Sequence, residues 1–239
     1  MKKLRTFVAI NLPLVMVRQI ALFQAKLRVL AHERGIRVAW VPPHNMHVTL
    51  KFLGDIAEEN IGILQDRLQE RLSGRSPILF RVKGVGAFPS PTKPRILWIG
   101  LSSEYDALSA LARDIDGGLA ELGFVPEERP FHPHLTLGRV KQGEGDILTE
   151  MEPVDFGDVI CKEILLFQSV LSSKGPEYHA LAHFPLDLHI EEVAQMTKDR
   201  SSQEYEEDIL EMLPEEEEVF SSKDSTFDEA SDDADLIPP

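Results

Sequence analysis

A chain of 239 residues with 43% hydrophobic side chains can bury a core in one large domain or two small ones, which excludes a wholly disordered or fibrous protein. A single cysteine excludes an internal disulfide framework. The formal charge of −15 is local: residues 191–239 hold 18 acidic and 3 basic side chains, while residues 1–190 balance at 22 of each, so a basic phosphate-binding cleft stays open to the first part.

Met1 to Arg5 is basic, but the apolar run after it is broken by Asn11 and Pro13 and lacks the plan of a signal peptide. No stretch reaches the ~18 apolar residues of a membrane span. With Cys161 in an apolar run, where a small buried hydrophobe is expected, a cytoplasmic protein with no membrane contact is the expectation.

Thr6 to Ile10 reads as a strand. After Pro13, residues Met16, Ile20, Phe23, Leu27 and Leu30 step by four and three, forming one buried helical face that Gly35 ends. Trp40-Val41-Pro42-Pro43 is an extended lead, because a proline disfavours helical backbone before it, and Met46 to Leu53 follows as a strand. Asp55 with Glu58 resembles a capping box ahead of Ile61, Leu64, Leu68 and Leu72 at helical spacing. Ile78 to Val85 and Arg95 to Leu101 read as a hairpin with a long tip containing Pro89, Pro91 and Pro94.

Leu108, Leu111, Ile115, Leu119 and Leu122 make a third helical stripe, ended by Gly123. Pro126 to Pro133 is a second extended lead, and Cys161 to Val170 and Tyr178 to Phe184 read as strands around a Lys174-Gly175 turn. Helices mixed with mostly hairpin-connected strands give an α+β class. The folded domain is expected over 1–190. Residues 191–239 are too acidic and poor in apolar side chains to offset ordering entropy, and read as a disordered tail with a transient helix at Tyr205 to Leu213. A solubilising role is the simplest for that tail, docking to a protein partner the other.

Each extended lead ends in the same tetrad, His47-Val48-Thr49-Leu50 and His134-Leu135-Thr136-Leu137. A shuffled chain of this composition yields about 0.04 such tetrads, so two copies are not chance. In a strand, His and Thr at i and i+2 share one face while the apolar pair packs behind. His32, His132, His179, His183 or His189 alone reads as an ordinary hydrogen-bonded residue, and His44 and His132 sit in the leads. Two imidazoles across a cleft suit a reaction that removes one proton and delivers another, because histidine titrates near neutral pH. Two hydroxyls can hold the oxygens of a phosphate between them. Phosphodiester cleavage without metal or other cofactor fits, since no carboxylate or thiol stands at a ligand spacing from either histidine.

The stretches from Pro42 to Gly54 and from Arg129 to Arg139 resemble the two signature segments of the 2H phosphoesterases, specifically the LigT-like RNA 2′,3′-cyclic phosphodiesterases. Gly86-Ala87-Phe88-Pro89 before a strand with Trp98, and Phe184-Pro185-Leu186, fit the same family over roughly residues 4–187. The resemblance implies a bilobal fold in which two antiparallel-sheet lobes, related by a pseudo-twofold axis and backed by outer helices, face a central cleft. It implies hydrolysis of RNA 2′,3′-cyclic phosphate ends, or of 2′,3′-cyclic nucleotides, to 2′-phosphates. Reversible 2′-5′ ligation and a non-catalytic RNA-end binder are the alternatives, and a monomer is expected.

By position the resemblance makes His47 and His134 the acid and base, Thr49 and Thr136 phosphate ligands, and Arg139 the family's basic residue. Strict alternation puts Arg139 on the opposite face from His134, so its use needs a twist or bulge, for which Gly138 is the candidate, with a surface arginine as the alternative. Phe52, five residues after His47, is a candidate to stack on a base, with a core role as the alternative. Lys51 shares strand parity with His47 and is expected to add positive potential to the cleft, with a solvated strand end as the alternative. Lys83-Gly84-Val85-Gly86 lacks a phosphate-loop spacing and reads as a strand bulge.

Overall fold

The computed structural model describes residues 2–149, 151–173 and 175–187; the acidic tail and the domain boundary at 190 lie outside them. In chain order the elements are β1 (Lys3–Asn11), α1 (Leu14–Glu33), β2 (Arg37–Trp40), β3 (His47–Ala57), α2 (Ile61–Leu72), β4 (Ile78–Ser90) and β5 (Lys93–Ser103). They continue with α3 (Ala107–Ala120), β6 (His134–Gln142), β7 (Asp155–Cys161), β8 (Glu163–Ser172) and β9 (Gly175–Pro185).

The strands form two antiparallel sheets, one in the order β3-β1-β8-β9 and the other β2-β6-β5-β4-β7. Apart from the added β2, the sheets correspond strand for strand. A tetrad strand (β3 or β6) pairs with the strand that precedes a helix (β1 or β5), and a further two strands complete each sheet. The pseudo-twofold arrangement expected from the tetrads is this correspondence.

The alternation inside the tetrads decides which face each sheet buries. Val48, Leu50, Leu135 and Leu137 are buried in one core with Ile20, Phe23 and Leu27 of α1, Leu64 and Leu68 of α2, and Leu111 and Ile115 of α3. Each such side chain contributes about 1.5–3 kcal/mol by leaving water, and together they commit the His and Thr positions to the other face. There a smaller cluster of Phe7, Ala9, Leu165 and Phe167, with Tyr178 against it, lines the sheet that carries His47.

The three helical stripes form as the spacing predicts, with Ala31 rather than Leu30 in the buried position at the end of α1. Gly35 and Gly123 follow their helices with φ of +65° and +87°, a backbone that other residues rarely adopt. The capping box does not form. Asp55 stays in β3, opposite Arg5, because the ladder to β1 runs on to the Lys3–Ala57 pair, and α2 starts after a 3-10 turn at Glu58–Asn60 with no side-chain cap. The long hairpin tip is also shorter than expected: the β4–β5 ladder continues to Ser90 opposite Lys93 and carries Pro89 opposite Pro94 at an irregularity.

The strand expected at Cys161 to Val170 is divided between sheets, since Cys161 closes β7 in the five-stranded sheet and β8 begins at Glu163 in the other. Cys161 is buried, its thiol donates to the Glu163 carbonyl at 3.3 Å, and burial pushes its pKa up to about 12, as suits a packing residue. Gly84 lies at φ +76° inside a register shift of β4, the bulge expected there. Among the described residues no helix is long and apolar enough to cross a membrane.

Candidate active site

The two tetrad strands carry the same irregularity at the same step. In the β1–β3 ladder Asn11 stands opposite His47 and Ala9 opposite Thr49, but Val8 is then opposite Lys51, so Leu50 is an extra residue, and Phe7 meets Phe52. In the β5–β6 ladder Gly100 is opposite His134 and Trp98 opposite Thr136, but Leu97 is then opposite Gly138, so Leu137 is extra, and Ile96 meets Arg139. A bulge of this kind reverses the alternation beyond it. Phe52 therefore joins the face of His47 and Thr49, and Arg139 joins the face of His134 and Thr136.

Lys51, by the same shift, leaves the cleft face, and the expectation that it adds charge there is corrected. Its ammonium is almost wholly buried against Asp116 of α3 and also donates to the Val125 carbonyl at 3.1 Å. Gly138 is required on its own strand, because a Cβ there would come within 2.7 Å of Val38 Cγ1. The Leu137 carbonyl at the bulge accepts both the Val41 N–H and the Gln24 side-chain amide, each at 2.9 Å, so α1 and the proline lead hold the irregularity from behind.

Both imidazoles are fixed by the leads that deliver them. Nδ1 of His47 donates to the Asn45 carbonyl at 2.7 Å, and Nδ1 of His134 donates to the His132 carbonyl at 2.7 Å. A carbonyl only accepts, so each ring carries its proton on Nδ1 and each Nε2 holds the lone pair when the ring is neutral. Nε2 of His47 accepts from the Thr49 hydroxyl at 2.9 Å. The His47 ring packs 4.8 Å from Phe7 and meets Tyr178 edge-on at 5.1 Å. Asn45 is itself buried, and its amide donates to the Pro176 carbonyl at 2.7 Å, which ties this lead to the start of β9.

Burial lowers the pKa of His47 to about 4, the hydrogen bond to Asn45 opposing it and the charge of His134 adding to it. Burial also lowers His134, with the charges of Arg139 and His132 in the same direction. β3 and β6, of different sheets, touch, and the charge of His134 is felt at His47. Nη1 of Arg139 is buried without a hydrogen-bond partner, and burial depresses this guanidinium too, opposed by the Tyr178 phenol. A buried cation left unpaired is costly unless an anion completes it. Two neutral imidazoles, two hydroxyls and that guanidinium make a site for a tetrahedral anion and for proton transfer to and from it.

Phe52 is 57% exposed, 5.9 Å from Phe7, on the cleft face rather than in the core. His44 is exposed and the second lead leaves His132 exposed. Among the described residues no three His, Cys, Asp or Glu side chains gather. Sequence reasoning did not find Asn45, Gln24, Phe7 or Tyr178. Their spacing carries no motif, and their roles come from chain segments up to 131 residues away.

The family described as LigT like Phosphoesterase matches the chain twice in tandem, over residues 15–98 and 99–178. A protein of Methanocaldococcus jannaschii named RNA 2′,3′-cyclic phosphodiesterase is 36% identical over 183 residues, covering 74% of this chain and 98% of its own length. A protein of the same name from Aeropyrum pernix is 34% identical over 162 residues, covering 66% and 91%. The crystal structure of E. coli LigT complexed with 3′-AMP superposes with a TM-score of 0.64 at 26% identity, over 78% of this chain and all of that one. The doubled family match falls on the halves that each supply one tetrad and one bulge, and the chain belongs to the LigT-like phosphoesterases of the 2H superfamily.

Proposed function

We propose that this protein hydrolyses the 2′,3′-cyclic phosphate end of RNA to a 2′-phosphate, without a metal ion. The observation that carries the reading is the pair of imidazole–hydroxyl sets on the touching strands β3 and β6, with Arg139, whose Nη1 is unpartnered, on the same face as the second. The shared name of the relatives supplies the substrate class.

In this reading the nonbridging oxygens accept from Thr49, Thr136 and Arg139. One imidazole takes a proton from water through Nε2 as the water oxygen bonds to phosphorus. The bond from phosphorus to O3′ breaks, and the other imidazole, protonated at Nε2, gives its proton to O3′. The product is a 2′-phosphate with a free 3′-hydroxyl, and proton exchange with solvent resets the pair. Each imidazole contributes roughly 10²- to 10⁴-fold.

The test is to incubate the protein with an oligoribonucleotide ending in a 2′,3′-cyclic phosphate, in excess chelator, and locate the phosphate in the product. A 2′-phosphate is expected, with a loss of roughly 10²- to 10⁴-fold in a folded His134→Ala variant. A 3′-phosphate, a requirement for added metal, or full activity in that variant overturns the proposal.

A further inference from the structure

On the His134 side of the cleft lies a recess that the proposed chemistry does not use. It is lined by Phe88, Trp98, Gly100, His132, Pro133 and His134. The Phe88 ring is its hub, 5.2 Å from Trp98, edge-on to His134 at 5.3 Å, and 6.5 Å from His132. Trp98 stands in register with Thr136 on one side and Gly86 on the other, so its indole shares the cleft face with the phosphate ligands.

The sheet is cleared for that indole. A Cβ at Gly86 would fall 2.2 Å from the ring, so that position is reduced to backbone where the ring lies, while at Gly100 it is the Lys83 carbonyl, 2.8 Å away, that leaves no room. Its Nε1 is nonetheless buried without a hydrogen-bond partner. A buried donor with no acceptor is rare in a finished structure. A nucleobase offers a π-face for the aromatic rings that line the recess.

A second aromatic surface, exposed Phe52 with Phe7 beneath, sits beside His47 on the other sheet. The phosphate site is thus flanked by aromatic side chains on both sides. In a ribose 2′,3′-cyclic phosphate the base leaves from C1′, next to O2′, and the preceding nucleotide from C4′, next to O3′. The two substituents diverge to opposite sides of the reacting phosphate, as the two surfaces do.

Resting on the cyclic phosphodiesterase reading of the site, we propose that Phe88 and Trp98, with His132 at the rim, stack the base of the penultimate nucleotide while Phe52 takes the terminal one. The site then selects the end of an RNA chain over a free cyclic mononucleotide. Base–aromatic stacking is worth about ten- to a hundredfold in affinity.

The experiment compares kcat/KM for a dinucleotide ending in a 2′,3′-cyclic phosphate with that for 2′,3′-cyclic AMP. The ratio is expected to be about ten or more in the unaltered protein, and to fall several-fold in Phe88→Leu and in His132→Ala, the second being an exposed position that tolerates change. A ratio near one, or one that neither variant changes, overturns the proposal. Binding is read separately in a Trp40→Phe background, where Trp98 is the only tryptophan. Its emission should be quenched by the dinucleotide and not by the mononucleotide. Quenching by the dinucleotide without turnover would sink the hydrolase reading and retain the base recess; turnover with no quenching would retain the former and sink the latter.

Discussion

At the scale of the residue, burial disfavours the charged forms of Arg139 and of the two histidines alike. Arg139 presents a buried, unpartnered Nη1, so its planar fork is available to an anion. Arg139→Lys replaces the fork by a point charge and should lower kcat/KM by about 10- to 150-fold, the worth of a hydrogen bond to a charged group; an unchanged value would remove Arg139 from the site. The histidines set the pH dependence. The proposed reaction needs one imidazole neutral and the other protonated, and burial draws both below 6.5, His47 to about 4. Below both values no base remains, and above both no acid remains. A plot of kcat/KM, which reports the free enzyme, should be bell-shaped with its maximum between about 4 and 6.5 and should fall as pH rises through neutrality. The two limbs belong to the coupled pair rather than to either residue, and a maximum on the alkaline side would contradict the neutral resting pair.

At the scale of the element, the bulges of β3 and β6 decide which side chains share a face with the two His-Thr pairs. Gln24 of α1 secures the second one by donating to the Leu137 and Val41 carbonyls, each at 2.9 Å. Gln24→Leu should cost about 1 kcal/mol by leaving the half-buried Val41 carbonyl without its donor, measured by denaturant unfolding, and should raise KM through a misplaced Arg139. An unaltered KM would show that the lead holds the bulge unaided. Lys51→Met, on the face turned from the cleft, should lower stability because Asp116 loses its buried partner, yet leave KM unchanged.

These elements also show where the sequence was readable. Helical stripes and tetrad strands repeat a period many times, so local pattern names them and their buried face. Gly138 marked its bulge because glycine in a strand signals one. Lys51 misled because nothing in Leu50-Lys51 records a register shift that is set by the partner β1. Strands β2 and β7 went unread for a related reason. Arg37–Trp40 is four residues, two exposed and two half-buried, and Asp155–Cys161 is held by its ladder to β4 and by ion pairs of Arg81 with Asp155 at 2.9 Å and Asp158 at 3.2 Å. Pairing information of that kind is spread over 74 residues of chain.

At the scale of the molecule, each sheet supplies one histidine, one threonine and one residue beyond a bulge, so the site exists only when both sheets are formed. A nucleoside 2′-phosphate should then stabilise the protein as a whole, by about 2.7 kcal/mol at a hundredfold excess over its Kd, seen as a higher Tm. Arg139→Ala should abolish most of that increase; an equal increase in the variant would place the ligand elsewhere. The duplicated bulge has a further consequence. What the two halves share is an offset, five residues from the histidine, and what they place at that offset is unlike: an apolar ring in one, a fixed cation in the other. A ribonucleotide end is handed, with a flat uncharged part to one side and negative charge beside it. On the proposed reading, a doubled frame with unmatched tools grips such an object in a single orientation, and either tool can be exchanged by one substitution while the frame keeps its shape.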